Sequence, residues 1–367
     1  DTYVDLNMSY FVAQVRFELP DGNAIADAST VYPNPNLIHT MIKQFNMTWN
    51  GVLLNPQTDT YSYRSWIPKV LNYTPEEADT ILAPEGFWER ESKTQVMPIE
   101  PPRILKANIV NFADNAGAGH NDLQALPRNQ QGFLWASKRE KEKFHAKAWN
   151  TFIFKPQHEL FYSHRLTLPG IEQKFNFTFH SQKFYMNGIG VANMAVKELE
   201  SDNFKMHLVL CLKTLNPILY KRIDEACQSQ RRNAVLPTMR SEIRTYTLPQ
   251  NIVDFNESNM FQGRVPQRIV VGLVESAAFN GNRVNPPFAF GKYGMLYMKQ
   301  VIRGEEYPYE TLELNPTDGQ RDMLGYYRFL EAGGFLGEVR PSMVKASMWG
   351  TEEILRSSSL TTPLQAM

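Results

Sequence analysis

Tyr3-Val-Asp-Leu-Asn-Met-Ser-Tyr-Phe-Val-Ala-Gln-Val-Arg-Phe-Glu-Leu19 is the stretch whose reading decides the fold class. Its apolar residues alternate, first as Val4, Leu6, Met8 and Tyr10, then as Phe11, Ala13, Val15, Phe17 and Leu19 on the opposite parity. A period of two is the signature of a strand with one face on a core. The change of parity at Tyr10-Phe11 predicts a β-bulge or two successive strands. Asp21-Gly22 ends the segment. Working outward, Phe45, Met47 and Trp49 alternate up to Asn50-Gly51, with Val52 to Leu54 following. This is a strong hairpin signal, because both central residues of a type I′ turn need positive φ.

The same period returns at Phe175, Phe177 and Phe179, then at Met206, Leu208, Leu210 and Leu212. Beyond these come Ile243–Leu248, the dense apolar run Arg268–Val274, the turn Asn280-Gly281, and an alternating strand from Tyr293 to Val301 that ends at Arg303-Gly304. Helical signals are fewer. Thr74-Pro75-Glu76-Glu77 supplies an N-cap, a Pro at the first helical position and a capping-box glutamate. Asn216-Pro217 opens a helix with Leu219, Ile223, Ala226 and Cys227 as an apolar stripe expected to face something packed. Thr317-Asp-Gly-Gln320 caps a last helix carrying Met323, Tyr327 and Leu330, with Gly333 at its end. Residues 84–150 read as an elaborated loop region, and the charged segment Lys138–Lys143 as one solvated helix. The expectation is an all-β chain of two successive antiparallel sandwiches with short crossover helices: one over 1–214, a helical connector over 215–235, and a second over 236–367.

Composition narrows the function. The 367 residues carry 38 Lys and Arg against 38 Asp and Glu, so the cationic surplus that dominates nucleic-acid affinity is missing. The basic clusters, Arg231-Arg232 and Lys138–Lys143, are short, and the second is interleaved with Glu140 and Glu142. Two cysteines, Cys211 and Cys227, are too few for a disulfide framework or a structural zinc site, which points to an intracellular folding compartment and inert core thiols. No apolar run approaches the ~18–20 residues of a membrane span, and a soluble chain is expected. The chain opens at Asp1 inside a strand pattern without an initiator Met, so the gene product is expected to extend upstream.

Motifs that carry chemistry are scarce. The seven histidines (His39, His120, His145, His158, His164, His180 and His207) are scattered, and His158-Glu159 lacks the second histidine of a zinc-hydrolase helix. His207, inside an apolar strand, is read as a structural hydrogen-bonding histidine. No nucleophile elbow occurs, and Pro286 stands where a Walker loop ending at Gly291-Lys292 would need glycine. Gly188-Ile189-Gly190 has Asn193 in place of a third glycine and no βαβ surroundings, so it is read as a tight turn. Glu76 and Glu77 are accounted for by their helix-cap role. The sequons at Asn7, Asn46, Asn72, Asn176 and Asn256 fall mostly in strands and do not indicate glycosylation. No catalytic, cofactor-binding or metal-binding residue is assigned, and no cofactor is expected.

A family resemblance rests on several pieces in order: Asp1–Leu6; the hairpin at Asn50-Gly51 with Asp59–Arg64 and Leu71–Tyr73; and, most specifically, Arg244–Pro249, Asn259–Gly263, Pro266–Val274, Ala278–Gly281 and Asn285–Phe288. They resemble the double jelly-roll major capsid proteins of Maverick/Polinton elements and adintovirus-like DNA viruses, relatives of which also sit in invertebrate genomes as uncharacterised proteins. The match is poorest over 84–165. It implies two jelly rolls side by side, three chains forming a pseudo-hexameric capsomer, and a structural, non-enzymatic role in a virion assembled from chains folded inside the host cell. Partners would be the other chains of a homotrimer, neighbouring capsomers, and penton and minor capsid proteins. The family pattern continues past the last helix with about three more strands, whereas residues 351–367 are Ser/Thr-rich and stop, so the second roll is expected to be incomplete. The alternative is a jelly-roll binding module that does not assemble, either a host-retained viral copy or a lectin-like ligand binder. Tyr61, Tyr63, Trp66, Phe87 and Trp88 are expected on exposed loops, with Tyr61–Trp66 near a subunit contact.

Overall fold

A computed structural model describes residues 2–25, 31–55, 58–87, 144, 147–188, 196–228, 234–258, 260–261, 266–282, 286–288, 290, 293, 295–302, 304–313, 323–336, 342–344 and 360–363. The described elements, in chain order, are β1 (Thr2–Val15), β2 (Val31–Pro33), α1 (Leu37–Met41), β3 (Ile42–Trp49), β4 (Val52–Leu53), α2 (Tyr61–Asn72), α3 (Pro75–Thr80), β5 (Asn150–Phe154), β6 (Gln173–Phe179), α4 (Gln182–Tyr185), β7 (Met186–Gly188), β8 (Phe204–Thr214), α5 (Pro217–Gln228), β9 (Arg268–Val271), α6 (Ser276–Phe279), β10 (Tyr297–Ile302), β11 (Glu305–Glu313), α7 (Met323–Gly333) and β12 (Leu360–Pro363). Single 3-10 turns lie at Ala83–Glu85 and Glu159–Tyr162. The chain is β-rich, and every strand pairing among the described residues is antiparallel.

Two three-stranded sheets, β5-β1-β8 and β4-β3-β6, face each other across the first core. Phe11 of β1 meets Phe175 and Phe177 of β6 edge-on, at 5.8 and 5.1 Å between ring centroids, and Phe154 of β5 reaches Phe177 at 6.4 Å. Alternation explains this filling, because Phe11, Ala13 and Val15 point to one side and are buried, as are Phe152 and Phe154 opposite Ala13 and Phe11. In sequence the chain visits the first sheet at β1, the second at β3-β4, the first at β5, the second at β6 and the first again at β8. Strands adjacent in space are therefore mostly distant in sequence.

The parity change near Tyr10 is a bulge inside one long strand. The β1–β8 register shifts between Asp5 and Tyr10, so that Asp5 pairs with Cys211 and Tyr10 with Val209. Polar groups close the irregularity: the Ser9 hydroxyl donates to the Asp5 carbonyl at 2.6 Å and accepts from Cys211 N–H at 3.0 Å. Burial tends to raise the Asp5 carboxyl, but the bonded Lys213 outweighs it and leaves the group below its ordinary value. Met8, expected to point inward, lies on the bulge and is exposed. The Asn50-Gly51 hairpin forms with φ of +46° and +81°, pairing Thr48 with Leu53 and Trp49 with Val52. The capping box at α3 is also present, with Thr74 Oγ1 accepting from Glu77 N–H and Glu77 Oε2 accepting from Thr74 N–H.

Other expectations are corrected. Tyr61–Trp66 is no exposed loop: it opens helix α2, where Tyr61, Tyr63 and Trp66 are buried, as is Phe87 beyond it. The composition misleads here, because aromatic side chains and Pro68 weaken intrinsic helix propensity, which tertiary burial overrides. Trp88, Lys138–Lys143 and Arg231-Arg232 lie outside the described residues. His207 lies on the exposed face of β8, opposite Val12. Helix α5 forms as spaced, but Leu219 is exposed and the rest of its stripe only half-covered, with Tyr220 against Tyr3. Ile243–Leu248 carries no strand. Within 351–367, Leu360–Pro363 forms β12 against β9, pairing Leu360 with Val271.

The Asn280-Gly281 turn terminates α6. Asn280 has φ of −81°, and Gly281 alone crosses to +96°. A Cβ at Gly281 would stand 3.3 Å from the Phe184 amide nitrogen. Gly281→Val is expected to destabilise the fold by about 1–3 kcal/mol, the cost of holding a branched residue in a sparsely populated region. A urea unfolding midpoint unchanged from wild type would refute this.

Candidate functional site

The described residues converge on helix α2. Its residues at i, i+4 and i+8, Tyr61, Ser65 and Lys69, turn toward a buried polar junction, while Tyr63, Trp66 and Val70, at i, i+3 and i+7, enter a second core. That core joins distant segments. Trp66 stacks on Phe288 at 4.5 Å and 7°, Tyr63 stacks on Phe279 at 5.5 Å and donates to the Pro287 carbonyl at 3.0 Å, and Met343 N–H donates to the Val70 carbonyl at 3.0 Å. Phe184 of α4 and Phe329 of α7 complete it.

The polar junction is built from three short pieces. Asn36, the residue before α1, is held at φ 59° and ψ 40°, a left-handed conformation that asparagine tolerates better than most residues. Its side chain donates to Ser65 Oγ at 3.1 Å and accepts from Lys69 Nζ at 2.8 Å. Lys69 also bonds Glu85, which closes the 3-10 turn. His39 lies between them, with Nδ1 3.0 Å from the Tyr61 hydroxyl and Nε2 3.3 Å from Glu85 Oε2. The Tyr61 oxygen accepts from Gln157 N–H at 3.0 Å. The ionised Glu85 carboxylate can only accept, so His39 carries hydrogen on Nε2 and its Nδ1 accepts from the Tyr61 hydroxyl.

Burial acts on each group. Desolvation together with the Lys69 charge lowers His39 to about 4, despite the opposing pull of Glu85. Burial pushes Glu85 up, but Lys69 and His39 outweigh it and hold the carboxyl far below its ordinary range. Burial pushes the Tyr61 and Tyr63 phenols well up, so both stay protonated. A second pair lies one turn earlier on α2, where Arg64 bonds Glu159, whose Oε1 also accepts from Ser241 N–H at 2.8 Å.

This arrangement anchors a helix: its polar atoms are spent on one another. Glu76 and Glu77 remain at the α3 cap, and Gly188 ends β7. Cys211 and Cys227 are half-buried free thiols, and His164 bonds Asn7 at 3.2 Å. Among the described residues no group of three or more His, Cys, Asp or Glu is placed to hold a metal ion, and no helix is long and apolar enough to cross a membrane. Sequence reasoning treats His39, Lys69 and Glu85 separately or not at all. The available signal is the 61/65/69 spacing, hidden by the loop-like composition of Tyr61–Trp66.

Lys69→Met is expected to destabilise by about 3–5 kcal/mol, because it leaves Glu85 buried without its cation. The double variant Lys69→Met/Glu85→Leu should recover a large part of that loss in chemical denaturation. Equal loss in both variants would show that the pair does not act as a unit.

Among known proteins, an uncharacterised protein of Caenorhabditis elegans is similar to this chain, 21% identical over 325 residues that cover 86% of this chain and 66% of the nematode protein. The chain thus spans somewhat less than two thirds of that relative. No family model and no solved structure matches.

Proposed function

We propose that the chain is a double jelly-roll capsid protein, a structural subunit of a tile-like, pseudo-hexameric capsomer in an icosahedral DNA-virus shell. The observation that carries this reading is the path of the chain, which alternates between two facing antiparallel sheets through β1, β3-β4, β5, β6 and β8. A meander would keep neighbours adjacent, whereas jelly rolls cross between sheets. The resemblance of residues 244–288 to that family supports the same reading, as does the investment of the buried polar groups in holding α2. The role is structural, with no turnover. The partners are two further copies and neighbouring capsomers, and the destination is the virion.

Tyr61, Tyr63 and Trp66 are buried, so an exposed apolar surface is the better candidate for the proposed subunit contact. The corner where β8 meets α5 exposes Leu210, Leu212, Ile218 and Leu219 within nine residues of one another. Obligate interfaces are apolar at their centre and commonly exceed about 2,000 Å². Multi-angle light scattering of the purified chain at micromolar concentration is expected to give three times the chain mass. Leu212→Asp/Ile218→Asp should return monomers that keep the wild-type circular dichroism spectrum. A monodisperse wild-type monomer would favour the non-assembling binding module.

A further inference from the structure

We infer that three desolvated histidines form an acid-triggered release for helix α2: each is a neutral ring set beside one cation and one acid, so that a proton taken up adds positive charge without a counter-charge where α2 and its neighbours are held. Such a conformational response stands whether or not the chain builds a shell.

The first ring is His39 of α1, fully buried against Phe154 of β5 and Tyr61 of α2. The charged groups facing it are Lys69 and Glu85, one of each sign. With Nε2–H directed at the Glu85 carboxylate, its Nδ1 is occupied as an acceptor of the Tyr61 hydroxyl proton. The second ring, His158, is buried against Phe45 of β3 and faces Arg64 of α2 and Glu159, again one of each sign. Its Nδ1 accepts from Leu160 N–H at 3.3 Å and caps the Glu159–Tyr162 turn, so a proton there removes the cap. The third, His180, stacks on Phe184 at 3.7 Å and 7°, and faces Lys43 of β3 and Asp59, themselves paired at 2.9 Å. Its Nε2 is buried with no hydrogen-bond partner among the described residues. Phe184 in turn packs edge-on against Tyr63 and Phe288, inside the core that α2 shares with the later chain.

Each cation–acid pair is neutral as it stands, and only a neutral ring keeps it so. Burial is the first cause holding all three rings at about 4 instead of 6.5, with the neighbouring cation adding to it and the acid opposing. The sign follows from linkage. An opened segment binds protons at 6.5 that the closed one refuses until about 4, so the closed form loses ground as pH falls through that window and is unaffected above it. At pH 5 each released ring favours opening by about 30-fold. Glu85 adds to the loss only below the ordinary carboxylate range, so the histidines act first.

The test uses the full chain, following histidine ring signals by NMR and α2 amide exchange between pH 7.5 and 4.5. The expected result is ring midpoints well below 6.5, with α2 amides opening at least 30-fold more at pH 5 than at pH 7.5 while the β3–β6 ladder stays protected. In His158→Asn/His180→Phe, where the introduced asparagine keeps an acceptor for Leu160 N–H, the rise should shrink by an order of magnitude or more. Ring midpoints at 6.5 would overturn the inference. So would α2 exchange independent of pH, or a variant with the wild-type profile. The ring titration needs no variant and decides the matter even if the substituted chain fails to fold.

Discussion

Helix α2 is what joins the two cores: Tyr61 enters the first, and Trp66 stacks on Phe288 in the second, 4.5 Å apart and nearly parallel. One partner comes from a helix that follows the first hairpin, the other from a segment more than two hundred residues later. A helix buried on one side has solvent to absorb misfit, but α2 is buried on two. Its 63/66/70 face meets Phe184, Phe279 and Phe288, and its 61/65/69 face meets His39, Asn36 and Glu85. Rotating it to improve one side would misplace the other, so each face fixes the register of its opposite.

The chemistry of the two faces divides the work. Aromatic stacking supplies area and dispersion but tolerates sliding. Lys69, bonded to both Asn36 and Glu85, and Asn36, bonded to Ser65, do not tolerate it, because a small rotation strands a buried charge. An apolar filling of the same volume would hold the helix at least as firmly, as buried ion pairs generally add little net stability. Its cost would be the loss of a unique rotation. The left-handed Asn36 belongs to the same solution, since it turns the chain so that its amide reaches α2.

Much of the strand content is readable because period two is a local signal, although Ile243–Leu248 carries no strand. The parity flip at Tyr10-Phe11, the Asn50-Gly51 hairpin and the Phe175/177/179 row all report purely local geometry. Met8 and α2 mislead for one common reason. A bulge shifts which residue faces the core without changing the residues, and a helix buried on two sides loses the single apolar stripe that would betray it. Tyr61–Trp66 carries aromatics and serines, with Pro68 just beyond, a composition that scores as loop, and only burial against partners far along the chain makes it helical. The junction is illegible in the same way: Asn36, His39, Lys69 and Glu85 are unremarkable in sequence until the fold brings them together.

Charge shows the same limit of global readings. A balance of 38 against 38 describes a chain with no net charge, yet the fold arranges opposite charges in specific pairs, Lys69 with Glu85, Arg64 with Glu159, Lys213 with Asp5. In each, one member sits on a regular element and the other on a turn or a bulge. Regular backbone satisfies itself, so turns and bulges are where buried polar groups lack partners. Neutrality here is therefore enforced locally, pair by pair, and a neighbouring neutral histidine is tolerated only while it stays neutral. A fold that closes its irregular segments in this way gains definition at neutral pH from the same groups that make those segments the first to respond to acid.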